Sequence, residues 1–360
     1  MSRARCLMLA CALLALLPAG SAAAQSMKPP IRGLISMGAY KFVGSGGPPV
    51  NTLAPLDAKP GIFSGLVIVA TWAQLQPTRG AEIEDGNAID QALALVRAYN
   101  RRNPQKPLAV KLRIWAGFEA PDWAKSLGGP PIDTVHNNKP RTMGRFWSRP
   151  YRKAWAALQD QLAARYDNLP LIRDVAITSC MSFTAEPFFL PTTEAEEATV
   201  LTPLQQAGFT PAAYRKCLSN AVNDYAAWKR TRLVFPFNPF RATVNKGSGA
   251  GTGQGDPHFT MQVMGACRQA LGARCVFDNH DLNAPLGGPL RPIYSYMTQL
   301  GGPIEFQTLN ATPANFPGTI RLGVRTGAQA IELYQDYKGF PLVPNSKLRR
   351  WAEMIENGTP

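Results

Sequence analysis

Two glutamates stand where this 360-residue chain has the means to do chemistry: Glu186, in Phe183-Thr184-Ala185-Glu186-Pro187, and Glu305, in Ile304-Glu305-Phe306-Gln307. Glu305 lies at the C-terminal end of a short apolar, β-branched run of the kind that makes a buried strand, and Glu186 lies just beyond another such run. Two carboxylates facing each other over a pocket are what cleavage of a glycosidic bond requires. One protonates the leaving oxygen, and the other attacks the anomeric carbon or directs a water.

The elements that must position them recur along the chain. Strand-like runs fall at Gly33 to Met37, Leu66 to Thr71, Leu108 to Ile114, Val175 to Ser179, Leu233 to Phe237, Cys275 to Asp278, Ile304 to Gln307 and Ala330 to Tyr334. Helical stretches alternate with them at Asn87 to Asn100, Tyr151 to Tyr166, Pro211 to Trp228, Thr260 to Leu271 and Ser346 to Ile355, the first with Ile89, Leu93 and Val96 on one face. Such alternation yields parallel strands joined by right-handed crossovers, and eight units predict an α/β fold, a single (β/α)8 barrel. Active groups then belong at the C-terminal strand ends and on the loops that follow. The long, irregular segments Phe118 to Pro150, Met181 to Gln206 and Asn238 to Pro257 are expected to wall a cleft there. In a ring of eight, strands four and seven oppose each other, which brings Glu186 and Glu305 to either side of one mouth.

Polar residues inside barrel strands cost free energy unless they are paired or used. Lys111, Arg113 and Trp115 alternate with Leu112 and Ile114, Glu305 and Gln307 flank Phe306, and Glu332 and Tyr334 flank Leu333, so each polar set shares an inward face. Ion pairs plugging the barrel, Lys111 with Glu332 for example, are the structural use of this pattern. Sugar recognition is the functional one. Trp72, Trp115, Phe183 and Tyr334 offer aromatic faces for the apolar side of a pyranose, while Arg113, Asp278, Asn279, His280 and Gln307 supply partners for its hydroxyls.

Three segments resemble the clan A glycoside hydrolases, a superfamily of cellulase-, mannanase- and β-galactosidase-like barrels. They are Trp72-Ala73-Gln74-Leu75-Gln76-Pro77 with Gly80 and Ile89-Asp90-Gln91-Ala92-Leu93; Ala185-Glu186-Pro187; and Ile304-Glu305-Phe306-Gln307. The resemblance implies Glu186 as acid/base and Glu305 as nucleophile of a retaining double displacement, with carboxyl groups ~5–5.5 Å apart. It implies an oligo- or polysaccharide substrate and no cofactor. Ala185 departs from the Asn usual before the strand-four glutamate, which contacts the sugar hydroxyl beside the reacting carbon. The departure admits two alternatives on the same site, a catalytically weak or inactive polysaccharide-binding barrel and a transglycosylase.

Composition narrows the rest. Arg3 and Arg5, the apolar run Cys6 to Leu17 and Ala22-Ala23-Ala24 read as a signal peptide over residues 1–24, leaving 25–360 as the barrel of a secreted or periplasmic protein without a stable membrane anchor. Export leaves Cys180, Cys217, Cys267 and Cys275 as an even set; closeness in the chain favours Cys180 with Cys217 and Cys267 with Cys275. Net charge is +14, and +12 once Arg3 and Arg5 are removed, which predicts attraction to anionic polymers or surfaces. The basic residues are scattered and carry no nucleic-acid motif. Three histidines, His136, His258 and His280, without an H-E-x-x-H pair, give no expectation of a catalytic metal.

Overall fold

The computed structural model describes residues 26–40, 53–136, 138–182, 186, 194–240, 256–308, 314–334 and 343–359. The expected signal peptide lies outside these, as do Phe183, Ala185 and residues 241–255. Eight parallel strands run Gly33–Tyr40, Phe63–Thr71, Ala109–Trp115, Ile172–Ala176, Arg232–Pro236, Cys275–Asp278, Glu305–Gln307 and Ala330–Tyr334. They are called the first to eighth strands below. Neighbours in sequence pair from the first to the sixth, with register shifts between the first and second and between the third and fourth, the seventh pairs with the eighth, and the eighth with the first. The ring closes where Phe277 bridges Ile304 and the Gln307 N–H donates to the Asn279 carbonyl at 2.9 Å. This is a (β/α)8 barrel, with helices on the outside of a parallel ring.

Local chemistry starts the helices where expected. Asn87 caps Ala88–Arg102 by accepting from the N–H groups of Ile89 and Asp90, and Ser148, Thr210 and Asp256 do the same for Arg149–Tyr166, Pro211–Ser219 and Pro257–Leu271. Ile89, Leu93 and Val96 are buried against the strands. The last helix is Asn345–Asn357.

Several boundaries differ from the sequence expectation. The fourth strand is Ile172–Ala176 rather than Val175 to Ser179, because Asp174, polar but inward, stands in register with Lys111 and Arg232. The stretch Pro211 to Trp228 breaks at Asn220 into Pro211–Ser219 and a 3-10 turn, Ala221–Tyr225. The loop Phe118 to Pro150 contains an antiparallel hairpin, Ile132–His136 with Lys139–Met143, and Met181 to Gln206 ends in a helix, Glu194–Gln206. Arg291–Leu300 and Phe316–Thr326 are additional helices whose prolines occupy the first turn, where a missing N–H costs nothing.

The barrel interior is divided. Ile31, Ile35, Met37, Val67, Val69, Ala109 and Ala330 fill the side under the first, second and eighth strands with apolar groups. The opposite side carries buried charge. Two features then fix the chain that leaves the fourth strand. Cys180 is disulfide-bonded to Cys217 in Pro211–Ser219, and Cys267 to Cys275, both pairings as expected. Gly117, at φ +56°, lies so close to the Ser182 backbone that a Cβ would overlap its carbonyl, while the Phe118 N–H donates to that carbonyl at 2.8 Å.

The Cys180–Cys217 bridge spans 37 residues, and its loss restores the freedom of that loop in the unfolded chain. On the chain-entropy account, Cys180→Ala/Cys217→Ala should lower guanidinium-unfolding stability by about 4 kcal/mol. Stability within error of wild type would show that the bridge does not constrain this segment.

Candidate active site

The polar interior is organised around Lys111. Its ammonium, with no exposed surface, lies 2.5 Å from Glu332 Oε1, 3.0 Å from Asp278 Oδ2 and 3.1 Å from Glu305 Oε2. Arg113, one step nearer the mouth on the same strand face, donates to Glu332 at 2.9 and 3.0 Å and to Gln307 Oε1 at 3.3 Å. The alternation of Lys111 and Arg113 with Leu112 and Ile114 thus aims both cations into the barrel. The expected Lys111–Glu332 ion pair is present. Removing charge from water is tolerated here because each ion meets opposite ions at hydrogen-bond distance.

His280, just past the sixth strand, carries this network to the surface. Its Nε2 lies 3.0 Å from Asp278 Oδ2 and its Nδ1 2.8 Å from Glu186 Oε1. The second Glu186 oxygen accepts from the Asn238 amide at 2.5 Å. Asn279 fixes the orientation of Asn238. Its Oδ1 accepts from the Tyr294 hydroxyl at 2.9 Å and the Asp281 N–H at 3.0 Å, so its amide nitrogen must donate, and it donates to Asn238 Oδ1 and the Phe237 carbonyl. Glu186 is therefore gripped on both oxygens while its side chain stays 15% exposed.

Electrostatics follow from burial and pairing. Burial opposes charge on His280, but Asp278 and Glu186 outweigh it and raise the imidazole to about 9. Burial would also raise Asp278 and Glu332; Lys111 and His280 hold the first well below the usual carboxylate range, and Arg113 and Lys111 hold the second down. Three cations, Lys111, Arg113 and His280, balance three carboxylates, Asp278, Glu332 and Glu186. Glu305 is in excess, and burial pushes its carboxyl up despite Lys111. Asp174 is raised further, with burial first and Glu305 second among the causes, and neither of its oxygens has a hydrogen-bond partner. Asp281, beside Glu186, is raised to about 6 by burial and then by that neighbouring charge. Oxygen and nitrogen atoms of Asp278, His280 and Glu332 come together closely enough to suggest metal ligands, yet Lys111 and Arg113 already supply positive charge to the two carboxylates.

The expected site residues separate into three groups. Glu186 is partly exposed at the mouth, with His280 buried directly against it. Glu305, Asp278, Asn279, Arg113 and Gln307 are buried; they converge on the same network but support it from below. Glu305 is the first residue of the seventh strand, level with Ala330 at the start of the eighth, instead of at the strand's C-terminal end. Gln307 occupies the height expected for it, level with Glu332. Trp72 is a correction: it has no exposed surface, packs edge-on against Trp123, Tyr151 and Trp155, and donates to Gln76 at 3.2 Å, so it is core. Trp115 is partly exposed at the end of the third strand and packs on the apolar half of the interior. Tyr334 ends the eighth strand, and its side chain, like Phe183, lies outside the described residues. Asn238 is the member of this network that the sequence alone does not single out. Its signal is positional, since it follows the fifth strand as Asn279 follows the sixth.

No family model matches the chain, and no curated protein does. Similar solved structures include endo-glycoceramidase II from Rhodococcus sp., 18% identical, covering 86% of this chain and 74% of that one with a TM-score of 0.48. A β-galactosidase from the psychrophilic Marinomonas ef1 is 13% identical, covering 90% of this chain and 59% of its own at 0.49. A tri-modular GH5 (subfamily 4) endo-β-1,4-glucanase from Bacillus licheniformis is 12% identical, covering 92% and 60% at 0.47. At these values the functional reading depends on this chain's own residues.

The His280 arrangement has a direct spectroscopic signature. With three histidines in the chain, imidazole NMR should resolve a group titrating near 9, and Glu186→Gln should move that titration down toward the ordinary value near 6.5. Because the folded value is the higher one, the stability His280 contributes is complete below about 6.5 and is lost as pH rises through about 9. A resonance that titrates near 6.5 in both proteins would remove the Glu186–His280 pair.

Proposed function

We propose that the protein is an exported glycosidase acting on an oligo- or polysaccharide laid across the C-terminal mouth of the barrel, with Glu186 as general acid/base. The observation that carries this reading is the state of Glu186, a carboxylate at the mouth held on both oxygens by His280 and Asn238. An acid/base must be aimed at the leaving oxygen, and His280 at 2.8 Å and the Asn238 amide at 2.5 Å hold the Glu186 carboxyl from two sides. Export is supported by two disulfides, which persist in oxidising compartments.

The resemblance gives Glu305 the nucleophile's part, and with it retention. To attack an anomeric carbon, Glu305 would have to part from Lys111 and gain access to the mouth, from which it is separated by the contacts Lys111–Asp278–His280–Glu186. That burial favours a second reading on the same pocket, a polysaccharide-binding barrel without turnover.

Chromogenic glycosides and cell-wall polymers, assayed for released aglycone or reducing ends, separate the two. For a glycosidase, Glu186→Gln should lower kcat at least about 10²-fold with unchanged unfolding, and Glu305→Gln should do likewise if Glu305 is the nucleophile. Wild-type turnover that survives Glu186→Gln would overturn the acid/base assignment. Saturable binding without any release would establish the binding barrel.

A further inference from the structure

The end of the barrel opposite Glu186 carries a surface cavity of about 580 Å³, beside the starts of the third and fourth strands. Its size falls within the ~300–1,000 Å³ of small-molecule sites. Three guanidinium groups line it: Arg97 and Arg101, exposed on the last turns of Ala88–Arg102, and Arg173 of the fourth strand. No aspartate or glutamate lines it, and none of the three arginines forms an ion pair among the described residues. Other arginines of the molecule are neutralised, as Arg102 by Asp57, Arg152 by Asp224 and Arg165 by Asp85 and Asp90.

Arg173 is the most constrained of the three. It is half-buried, its Nε is sealed from water without a partner, and its one described hydrogen bond is a 3.4 Å contact from Nη1 to the Pro30 carbonyl. Successive strand residues point to opposite faces, so the neighbouring Asp174 turns into the barrel and leaves this charge facing outward. Burial lowers the Arg173 pKa, with Asp174 offsetting only part. Pro107, Pro170 and Leu171 give the same cavity an apolar lining.

We propose that this cavity binds an acidic saccharide unit, the sugar's C–H face against Pro107, Pro170 and Leu171 and its carboxylate or sulfate on the arginines. Planar guanidinium groups donate to such anions in bidentate geometry, and their planes stack on flat apolar faces. An open depression with an apolar floor suits the face of a sugar ring, whereas a nucleic-acid backbone would call for an extended basic track. The site is independent of whether the mouth hydrolyses anything, and would hold an exported barrel on an anionic glycan while its other end stays open.

Calorimetry with trigalacturonic acid tests this, with maltotriose as the uncharged control and inorganic sulfate as the free anion. Wild type should bind the acidic trisaccharide saturably. The variant Arg97→Gln/Arg101→Gln/Arg173→Gln should weaken binding at least about tenfold, while Arg321→Gln/Arg325→Gln/Arg350→Gln, which removes equal charge elsewhere, and Glu186→Gln should leave it unchanged. Should the triple variant fail to fold, Arg97→Gln/Arg101→Gln alters exposed side chains only and should still give a clear loss. The proposal is overturned by absence of wild-type binding, by equal losses in both charge-removal variants, by loss in Glu186→Gln, by sulfate or maltotriose binding as tightly as the trisaccharide, or by tighter binding of duplex DNA at the same arginines.

Discussion

The structure turns on one buried ammonium. Lys111 sits inside a barrel that has no solvent to offer it, and three carboxylates from the sixth, seventh and eighth strands, Asp278, Glu305 and Glu332, close around it. These strands include the point where the ring depends on isolated bridges instead of a continuous ladder. A charge cluster of this kind adds little net stability compared with a well-packed apolar core, because desolvation offsets most of the attraction. Its effect is on geometry. Any displacement of a strand that separates Lys111 from its partners leaves an uncompensated ion, so the cluster penalises alternative registers more than it rewards the native one.

The same cluster sets the chemistry at the mouth. Asp278 is shared between Lys111 and His280, and its retained negative charge keeps the imidazole protonated despite burial. The imidazolium in turn orients Glu186. A polar network whose groups are paired in this way stiffens its members, whereas an unsatisfied one destabilises them. Among the described residues, Asp278 Oδ1 and Arg113 Nε lack partners within otherwise paired groups, and Asp174 is the least satisfied, with both oxygens unpartnered beside Arg232 at the level where the strands enter the barrel, away from the mouth.

The legible part of the fold is the part with strong periodicity. Short apolar runs at regular intervals placed eight strands, and two-residue alternation identified the inward faces of the third, seventh and eighth. The fourth strand shifted because Arg173-Asp174 looks like a turn when hydropathy is the only guide, although each is a strand residue, one facing out and one facing in. Prolines hid Arg291–Leu300 and Phe316–Thr326 for a comparable reason, since a residue that breaks a helix interior is acceptable in its first turn. The height of Glu305 within its strand was not legible at all. Height is a relation between strands, and only the pairing of Glu305 with Ala330 and of Gln307 with Glu332 reveals that the glutamine stands nearer the mouth. Trp72 was misplaced because a strand-end position says nothing about which way the chain turns next. Here it turns at once into the short helix Trp72–Leu75, capped by Thr71, and the indole goes into the core.

Ala185 acquires a different meaning in this arrangement. A residue immediately before the glutamate cannot help to aim it if its side chain is a methyl group, and the aiming falls to groups from other strands. Asn238 follows the fifth strand, while Asn279 and His280 follow the sixth, and the two asparagines are joined by a hydrogen bond whose direction is dictated by Tyr294 and the Asp281 N–H. The segment that carries Glu186 is itself held below by the Cys180–Cys217 bridge and by the close approach of Gly117 to Ser182. Orientation of the one exposed member of the network thus comes from rigid strand ends across the mouth, and the long segment that bears it needs only to deliver the carboxylate within their reach.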